Sequence, residues 1–543
     1  AGKLLALYPT TPTLTQDFWQ NLFQRILDRA LDSVSERVLE TASGKVWASR
    51  EAFEKIHRPG SLEEFEEARS RLALEEYLVL QTYLILRKKD MARCQKGRRY
   101  LFGGEKILQF RKSIPFELTR AQKRVLREIR EDLEKPHPMN RLLQGDVGSG
   151  KTLVAAIGFL YAADSGVQGA LMAPTEILAQ QHFATLKKLL DPLGMKMVLL
   201  TGDMKAKEKR QALTDLVDGR ADLAVGTHAL LEKDVSFKNL GFLVIDERHK
   251  FGVLQRAALE EKGRWPDALM MTATPFPRAL ILTDYGDTDL SILDESPKGR
   301  KPIQTFWKSE SKKEEVYQFA RARVLKGEQV FWVFPVVEES KSFLKSAVQM
   351  HQHFSRNVFH GFRVGLIHGR MKKEEKQSVM RDFVEKKIQI LVSTTVVEVG
   401  VDVSNATVMV VEHAERFGLA QLHQLRGRVG RGAAQAACFL MTSTLISADA
   451  VRRIKMMVDT ADGFKLSEFD LRMRGPGEIF GLAQSGRKEG GLVDLRRDVA
   501  LVERAREMAG AILEKDPRLE SAENQFLRAA LKNRYDFQLA SIS

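Results

Sequence analysis

The stretch Gly145-Asp146-Val147-Gly148-Ser149-Gly150-Lys151-Thr152 constrains this chain more than any other. It follows the run Arg141–Gln144 and precedes the helix-like run Leu153–Leu160, so strand, glycine-rich loop and helix stand in order with the spacing G-x-x-x-x-G-K-[ST]. Gly145, Gly148 and Gly150 let backbone N–H groups turn inward around phosphate oxygens. The helix start adds a positive dipole end aimed at the same anion. Lys151 is expected to reach the β- and γ-phosphates of ATP, and the Thr152 hydroxyl to hold Mg²⁺. With its strand and helix in place, the motif outweighs a chance glycine-rich turn.

The rest of the chain is expected to arrange itself around that loop. Residues 1–115 read as mostly helical: an amphipathic run from Thr13 to about Leu39, then a packing helix from the Ser61-Leu62-Glu63-Glu64 capping box to about Arg87. From Phe116, short apolar strands alternate with helical segments: Leu142–Gln144, Ala170–Ala173, Met197–Thr201, Leu223–Gly226, Phe242–Asp246 and Leu269–Thr272. After the linker-like stretch Asp294–Pro302, a second set follows: Val330–Phe334, Val364–Ile367, Ile390–Ser393, Val408–Glu412 and Cys438–Thr442. The pattern predicts an α/β fold of two tandem parallel-sheet lobes, 116–296 and 297–446. A helical region (447–543) with a glycine-rich stretch at Arg474–Gly486 closes the chain.

Charge narrows the partner. Lys+Arg number 85 against 71 Asp+Glu, a net of +14 and a pI near 9.5, which favours a polyanion such as nucleic acid. Between Arg87 and Lys112 ten basic residues face only Asp90 and Glu105, a local net of +8, equally consistent with a solvated helix end and with a nucleic-acid contact. Cys94 and Cys438, far apart in sequence, argue against a disulfide framework or a zinc site, and a reducing cytoplasm is expected. No stretch is long and apolar enough to span a membrane. The N-terminal apolar run is too short for a signal peptide, and the missing initiator Met suggests a processed or cut chain.

Several further stretches carry chemistry. Phe242–Glu247 is a buried-strand run ending in two acids, about 100 residues after the loop. Asp246 is the natural Mg²⁺ partner, and Glu247 is placed to polarise an attacking water. Arg428 and Arg431 are spaced to reach a cleft between lobes and stabilise charge on a transferring phosphoryl group, although a basic solvated helix has the same spacing. Phe116 would stack on adenine and Gln122 hydrogen-bond its edge, with Thr119 as a helix cap in either case. Thr175, Thr227, His228 and Thr394 follow strands, where short donors suit phosphate contacts along nucleic acid.

Taken together, Gly145–Thr152, Ala173–Glu176, Asp246–His249, Thr272–Thr274, Leu366–Gly369, Thr394–Asp402 and Gln424–Arg431 resemble the motif set of superfamily 2 helicases, which implies RecA-like lobes. That likeness implies that Gly400 and Asp402 join the nucleotide site, that Gln424 acts with Arg428 and Arg431, and that Thr272–Thr274 couples ATP to nucleic acid. More narrowly, the chain resembles the RecG family of branch-migration and fork-reversal helicases through Phe116–Gln122, Asp246–Val253, Met271–Arg278 and Leu471–Glu478 with Gln484–Gly486. The last of these looks like the translocation motif shared with the transcription-repair coupling factor Mfd, in which Arg474 and Gln484 would couple the stroke to duplex DNA. Two departures stand out. The wedge domain that usually opens the family is expected to be absent, and Arg248 replaces the family's Gln after Asp-Glu.

The sequence therefore points to an ATP-dependent translocase on double-stranded and branched DNA. It is expected to be a monomer, with a single-stranded-DNA-binding or replication-fork protein as a further partner. An Mfd-like translocase working through a protein partner, or a nucleotide switch without motor activity, are the competing expectations.

Overall fold

The structure, a computed structural model, describes residues 4, 6–8, 10–11, 14–34, 38–40, 46–202, 204–247, 262–263, 265–273, 281–283, 286–295, 301–335, 341–394, 403–430, 432, 434–474, 492–495 and 497–535. It divides into two compact units. One gathers residues 1–93, 277–288 and 471–543; the other, 94–276 with 289–470, carries both parallel sheets.

The first unit begins with α1 (Gln16–Asp32), capped by Thr15, whose hydroxyl accepts from Phe18 N. The chain then forms an antiparallel hairpin, β1 (Val38–Glu40) with β2 (Val46–Ala48), where helix and loop were expected. Next come α2 (Ser49–His57) and the long α3 (Leu62–Arg93). At the start of α3 the Ser61 hydroxyl accepts from Glu64 N (3.1 Å), but the Glu64 carboxylate reaches Gly60 N rather than Ser61 N, so the expected box is shifted by one residue.

In the second unit α4 (Glu105–Ser113) and α5 (Arg120–Glu134) lead into the first sheet. The capping box of α5 is complete: Thr119 Oγ1 accepts from Gln122 N and Gln122 Oε1 accepts from Thr119 N. Val125, Ile129 and Leu133 line its buried face at i+4 spacing. The sheet and its helices run β3 (Asn140–Gly145), α6 (Lys151–Asp164), β4 (Gln168–Met172), α7 (Glu176–Leu190), β5 (Met197–Leu200), α8 (Ala206–Val217), β6 (Leu223–Gly226), β7 (Leu240–Asp246), β8 (Asp267–Thr272) and β9 (Asp289–Leu293). Strand order is β5-β6-β4-β7-β8-β3-β9, all parallel. All seven residues of β7 are buried, as a strand covered on both faces requires.

The second sheet is built from β10 (Gln304–Ser309), α9 (Lys313–Leu325), β11 (Gln329–Phe334), α10 (Lys341–His353), β12 (Val364–Ile367), α11 (Lys373–Val384), β13 (Ile390–Thr394), β14 (Ala406–Val411), α12 (Leu419–Arg426) and β15 (Ala437–Thr442). Its order is β10-β15-β14-β11-β13-β12, again parallel. Along β11 the faces alternate: Phe331 and Val333 join one core, Val330, Trp332 and Phe334 the other. The α13 (Ala448–Asp459) and α14 (Gly463–Arg474) helices follow. Last come α15 (Val499–Lys515) and α16 (Gln525–Tyr535) of the first unit. There Leu74, Tyr77 and Leu78 of α3 share a core with Val502, Ala505 and Ala509 of α15. Beside them the buried Asp498 receives both Nη1 and Nη2 of Arg69.

The basic stretch 87–112 is partly structural. Lys96 is buried, donating to Asp267 Oδ1 (2.9 Å) and to the Leu133 carbonyl, while Arg98 reaches the Leu240 and Trp265 carbonyls. In the first unit Arg87 pairs with Asp287.

Candidate functional site

The glycine-rich loop lies where β3 meets α6, and its backbone needs its glycines. Gly148 (φ +80°) and Gly150 (φ +95°) adopt the left-handed region. A Cβ on Gly150 would stand 2.3 Å from Gln122 Nε2, and one on Gly145 would stand 2.6 Å from Ser149 Oγ. No side chain caps the first turn of α6, and Leu153 N and Val154 N both donate to the Gly150 carbonyl. Lys151 Nζ donates to the Gly145 and Asp146 carbonyls (2.7 and 2.9 Å), and Thr152 sits half-buried beside it. The Ser149 hydroxyl is buried with no hydrogen-bond partner among the described residues. A glycine-rich turn at a helix start, a buried hydroxyl without a partner among the described residues and a lysine beside it fit a phosphate chain.

Asp246 ends β7 and Glu247 follows it in a strained backbone, φ +50°. Glu247 N donates to Asp246 Oδ1, and His182 of α7 lies 2.6 Å from Asp246 Oδ2. Burial pushes the Asp246 carboxyl up, but His182, Lys151 and the Glu247 N–H outweigh it and hold the group below the usual carboxylate range. It is therefore a carboxylate near neutral pH, the form a divalent cation needs.

The second sheet contributes α12. His423 Nε2 lies 2.9 Å from Asp146 Oδ1 in the loop, and Arg426 Nη2 lies 2.9 Å from His423 Nδ1. Arg426 also donates to the carbonyls of Met457, Thr460 and Ala461. A Cβ on Gly427 would stand 3.1 Å from Val147 Cβ, so loop and helix are in close contact. Burial pushes the Asp146 carboxyl up; His423, the Val147 N–H and Lys151 bring it below its ordinary value. Gln424 is half-buried on α12 and Arg428 is buried just after it.

The other expected residues are spread around this centre. Gln122 is buried, its amide joining Thr119 N to the Ser149 carbonyl (3.0 Å), while Phe116 is half exposed. Thr175 caps α7, its hydroxyl accepting from Leu178 N. The hydroxyls of Thr227 and Thr394 are buried with no hydrogen-bond partner among the described residues, and His228 is exposed. Gly400, Asp402, Arg431 and Gln484 lie outside the described residues, as does Arg248, and Arg474 ends α14. His182, His423 and Arg426 join the site without having been expected from the sequence. Only His423 and Arg426 had a signal, because they flank or fall inside the Gln424–Arg431 stretch.

Comparisons with known proteins agree along the whole chain. The family described as DEAD/DEAH box helicase matches 119–281. The helicase conserved C-terminal domain matches 311–433, and "ATP-dependent DNA helicase RecG, domain 3, C-terminal" matches 460–543. The ATP-dependent DNA helicase RecG of Synechocystis is 44% identical over 98% of this chain, which spans 64% of that protein's length. The solved structure of RecG bound to a three-way DNA junction is 42% identical, with a TM-score of 0.73, covering 92% of this chain and 66% of that one. RecG of Bacillus subtilis is 43% identical over 97% of this chain and 77% of its own length, and at that similarity and coverage the chain belongs to the RecG family.

Proposed function

We propose that this chain is an ATP-driven translocase of double-stranded and branched DNA. The observation that carries the reading is the meeting of the glycine-rich loop with α12 through Asp146 and His423. A nucleotide held by one sheet is then sensed by the other, and hydrolysis changes the fit between them.

In this reading, residues 116–296 bind ATP and 297–446 complete the site. The loop's N–H groups and the start of α6 cradle the phosphates. Lys151 leaves the Gly145 and Asp146 carbonyls for the β- and γ-phosphates. Phe116 stacks on the adenine and Gln122 hydrogen-bonds its edge. Thr152 and Asp246 are the residues that would hold Mg²⁺, whose charge would offset that developing on the phosphates. Glu247 activates the attacking water, and Gln424, Arg428 and Arg431, with Gly400 and Asp402, supply the second lobe's contribution. Thr175, Thr227, His228 and Thr394 contact the nucleic-acid backbone, and Arg474 and Gln484 in the 447–543 region couple the stroke to the duplex. Residues 1–115 are the helical lead-in. The relative bound to a three-way DNA junction supports branched DNA as the substrate class. No described helix is long and apolar enough to cross a membrane, and we take the protein to act as a cytoplasmic monomer.

The test is a steady-state ATPase rate without nucleic acid, with linear duplex, with forked DNA and with structured RNA, Glu247→Gln serving as the blank. Stimulation by DNA but not RNA is the expected result. A rate indifferent to every nucleic acid would leave a nucleotide switch and overturn the motor.

A further inference from the structure

We propose that His423 is a positioning residue of the nucleotide site: its Nε2–H holds Asp146 and makes the glycine-rich loop's competence for turnover depend on α12. The inference rests on the nucleotide-site reading above and adds a direction to it.

The tautomer follows from the partners. A guanidinium carries donors only, so Arg426 Nη2, 2.9 Å from His423 Nδ1, requires a lone pair on that nitrogen. The ring proton therefore sits on Nε2, which donates to Asp146 Oδ1 at 2.9 Å. The polarity of these two bonds runs one way, from Arg426 to Asp146. It is also held firmly: the His423 side chain is 6% exposed, and Arg426 is fixed by the carbonyls of Met457, Thr460 and Ala461.

What the ring holds matters as much. The same Asp146 oxygen accepts from Val147 N (2.6 Å), and the Asp146 carbonyl accepts from Lys151 Nζ (2.9 Å). One residue thus links α12 to the loop backbone and to the lysine expected to reach the phosphates. If α12 withdraws, Asp146 loses its outer partner and the loop loses one of the bonds that sets its shape. His423 touches neither phosphate nor water in this scheme; it acts through Asp146.

The test uses the full chain. His423→Phe keeps a ring of similar bulk without either nitrogen, and His423→Gln keeps an amide donor. DNA-stimulated kcat and KM for ATP are measured alongside equilibrium binding of a fluorescent ADP. A lost hydrogen bond to a charged group corresponds to roughly a tenfold or larger fall in kcat for His423→Phe. ADP affinity should change by less than about threefold, and His423→Gln should recover most of the loss. Asp146→Ala should fall as far, and the double variant no further than the worse single one. Wild-type kcat in His423→Phe, no recovery by Gln, or independent losses in the double variant would each overturn the link. Should His423→Phe fail to fold, His423→Leu, which likewise removes both ring nitrogens, reads the same bond. A wild type without DNA-stimulated ATPase removes the underlying reading as well, whereas normal stimulation with an unaltered His423→Phe removes this inference alone.

Discussion

Single residues decide whether the loop can hold its shape. At Gly150 the backbone is left-handed and a Cβ would meet the Gln122 amide at 2.3 Å, an amide already bound to the Ser149 carbonyl. Gly150→Ala should therefore cost at least about 1 kcal/mol and weaken nucleotide binding by more than its effect on the unfolding temperature implies. Fluorescent-ADP titration beside thermal unfolding checks both, and an unchanged affinity would refute the argument. Asp246→Asn should behave oppositely. It keeps the carbonyl oxygen that faces His182 and so should fold, but it removes the charge that would hold Mg²⁺, and ATPase should drop by orders of magnitude. The glycines and Asp246 were legible because their demands are local: a turn that needs φ > 0, and an acid at a strand end. His182 was not, because it belongs to a different helix, 64 residues earlier, and only the packing of α7 beside β7 brings it to Asp246.

Elements were legible where an apolar run is continuous, even in the half-buried β5 and β12, and obscure where it is not. β7 and β11 read as strands because every residue is buried and apolar runs result. β10, Gln304–Ser309, was missed because it is an edge strand with mixed exposure and polar residues between Phe306 and Trp307 and the ends. β9 is the opposite edge of the first sheet and reads as Asp-Leu-Ser-Ile-Leu, with only Ser291 and Leu293 buried. Its partner β3 is tied instead to α5 by charge: Arg141 Nε meets Asp132 Oδ2 at 2.7 Å, and Lys135 meets Oδ1. Burial pushes the Asp132 carboxyl up, but hydrogen bonds from Arg141 and Lys135 overcome it and set the group below its ordinary value. An acid with a lowered folded-state pKa contributes stability that is present above its unfolded value of about 3.9 and is lost as pH falls through the lower folded value. Asp132→Asn should thus cost about 1–3 kcal/mol near neutral pH, with the difference from wild type shrinking only below about pH 4. Urea midpoints taken from pH 7 to 3 test this, and a gap that closed already between pH 7 and 5 would contradict it.

At the scale of the whole molecule the net charge of +14 was readable at once, but its placement was not. The cluster at 87–112 suggested an external patch, yet Lys96 is buried against Asp267, and Arg98 is bound to backbone carbonyls. Those charges hold the segment after α3 to the first sheet and are not available to a polyanion. Lys96→Met should accordingly destabilise by about 3 kcal/mol, because Asp267 would remain buried with only Arg98, 4.0 Å away, as its cation. The proposed DNA contact must then use exposed lysines and arginines, among them Lys89, Arg93, Arg99, Arg111 and Lys112 of the same stretch, and its strength should follow counterion release. If about six phosphates are neutralised, DNA affinity should fall roughly a thousandfold between about 50 and 200 mM salt, linearly on logarithmic axes. ATP binding, which depends on a partly enclosed loop and its own short-range donors, should change far less over the same range. The discriminating measurement is the salt dependence of half-maximal DNA stimulation, with ADP affinity followed in parallel. A steep slope for DNA and a shallow one for nucleotide is expected, and it should be the same for Lys96→Met wherever that variant remains folded. A slope that flattened in Lys96→Met would mean that this buried lysine reaches DNA after all, and that the stretch 87–112 opens during the cycle.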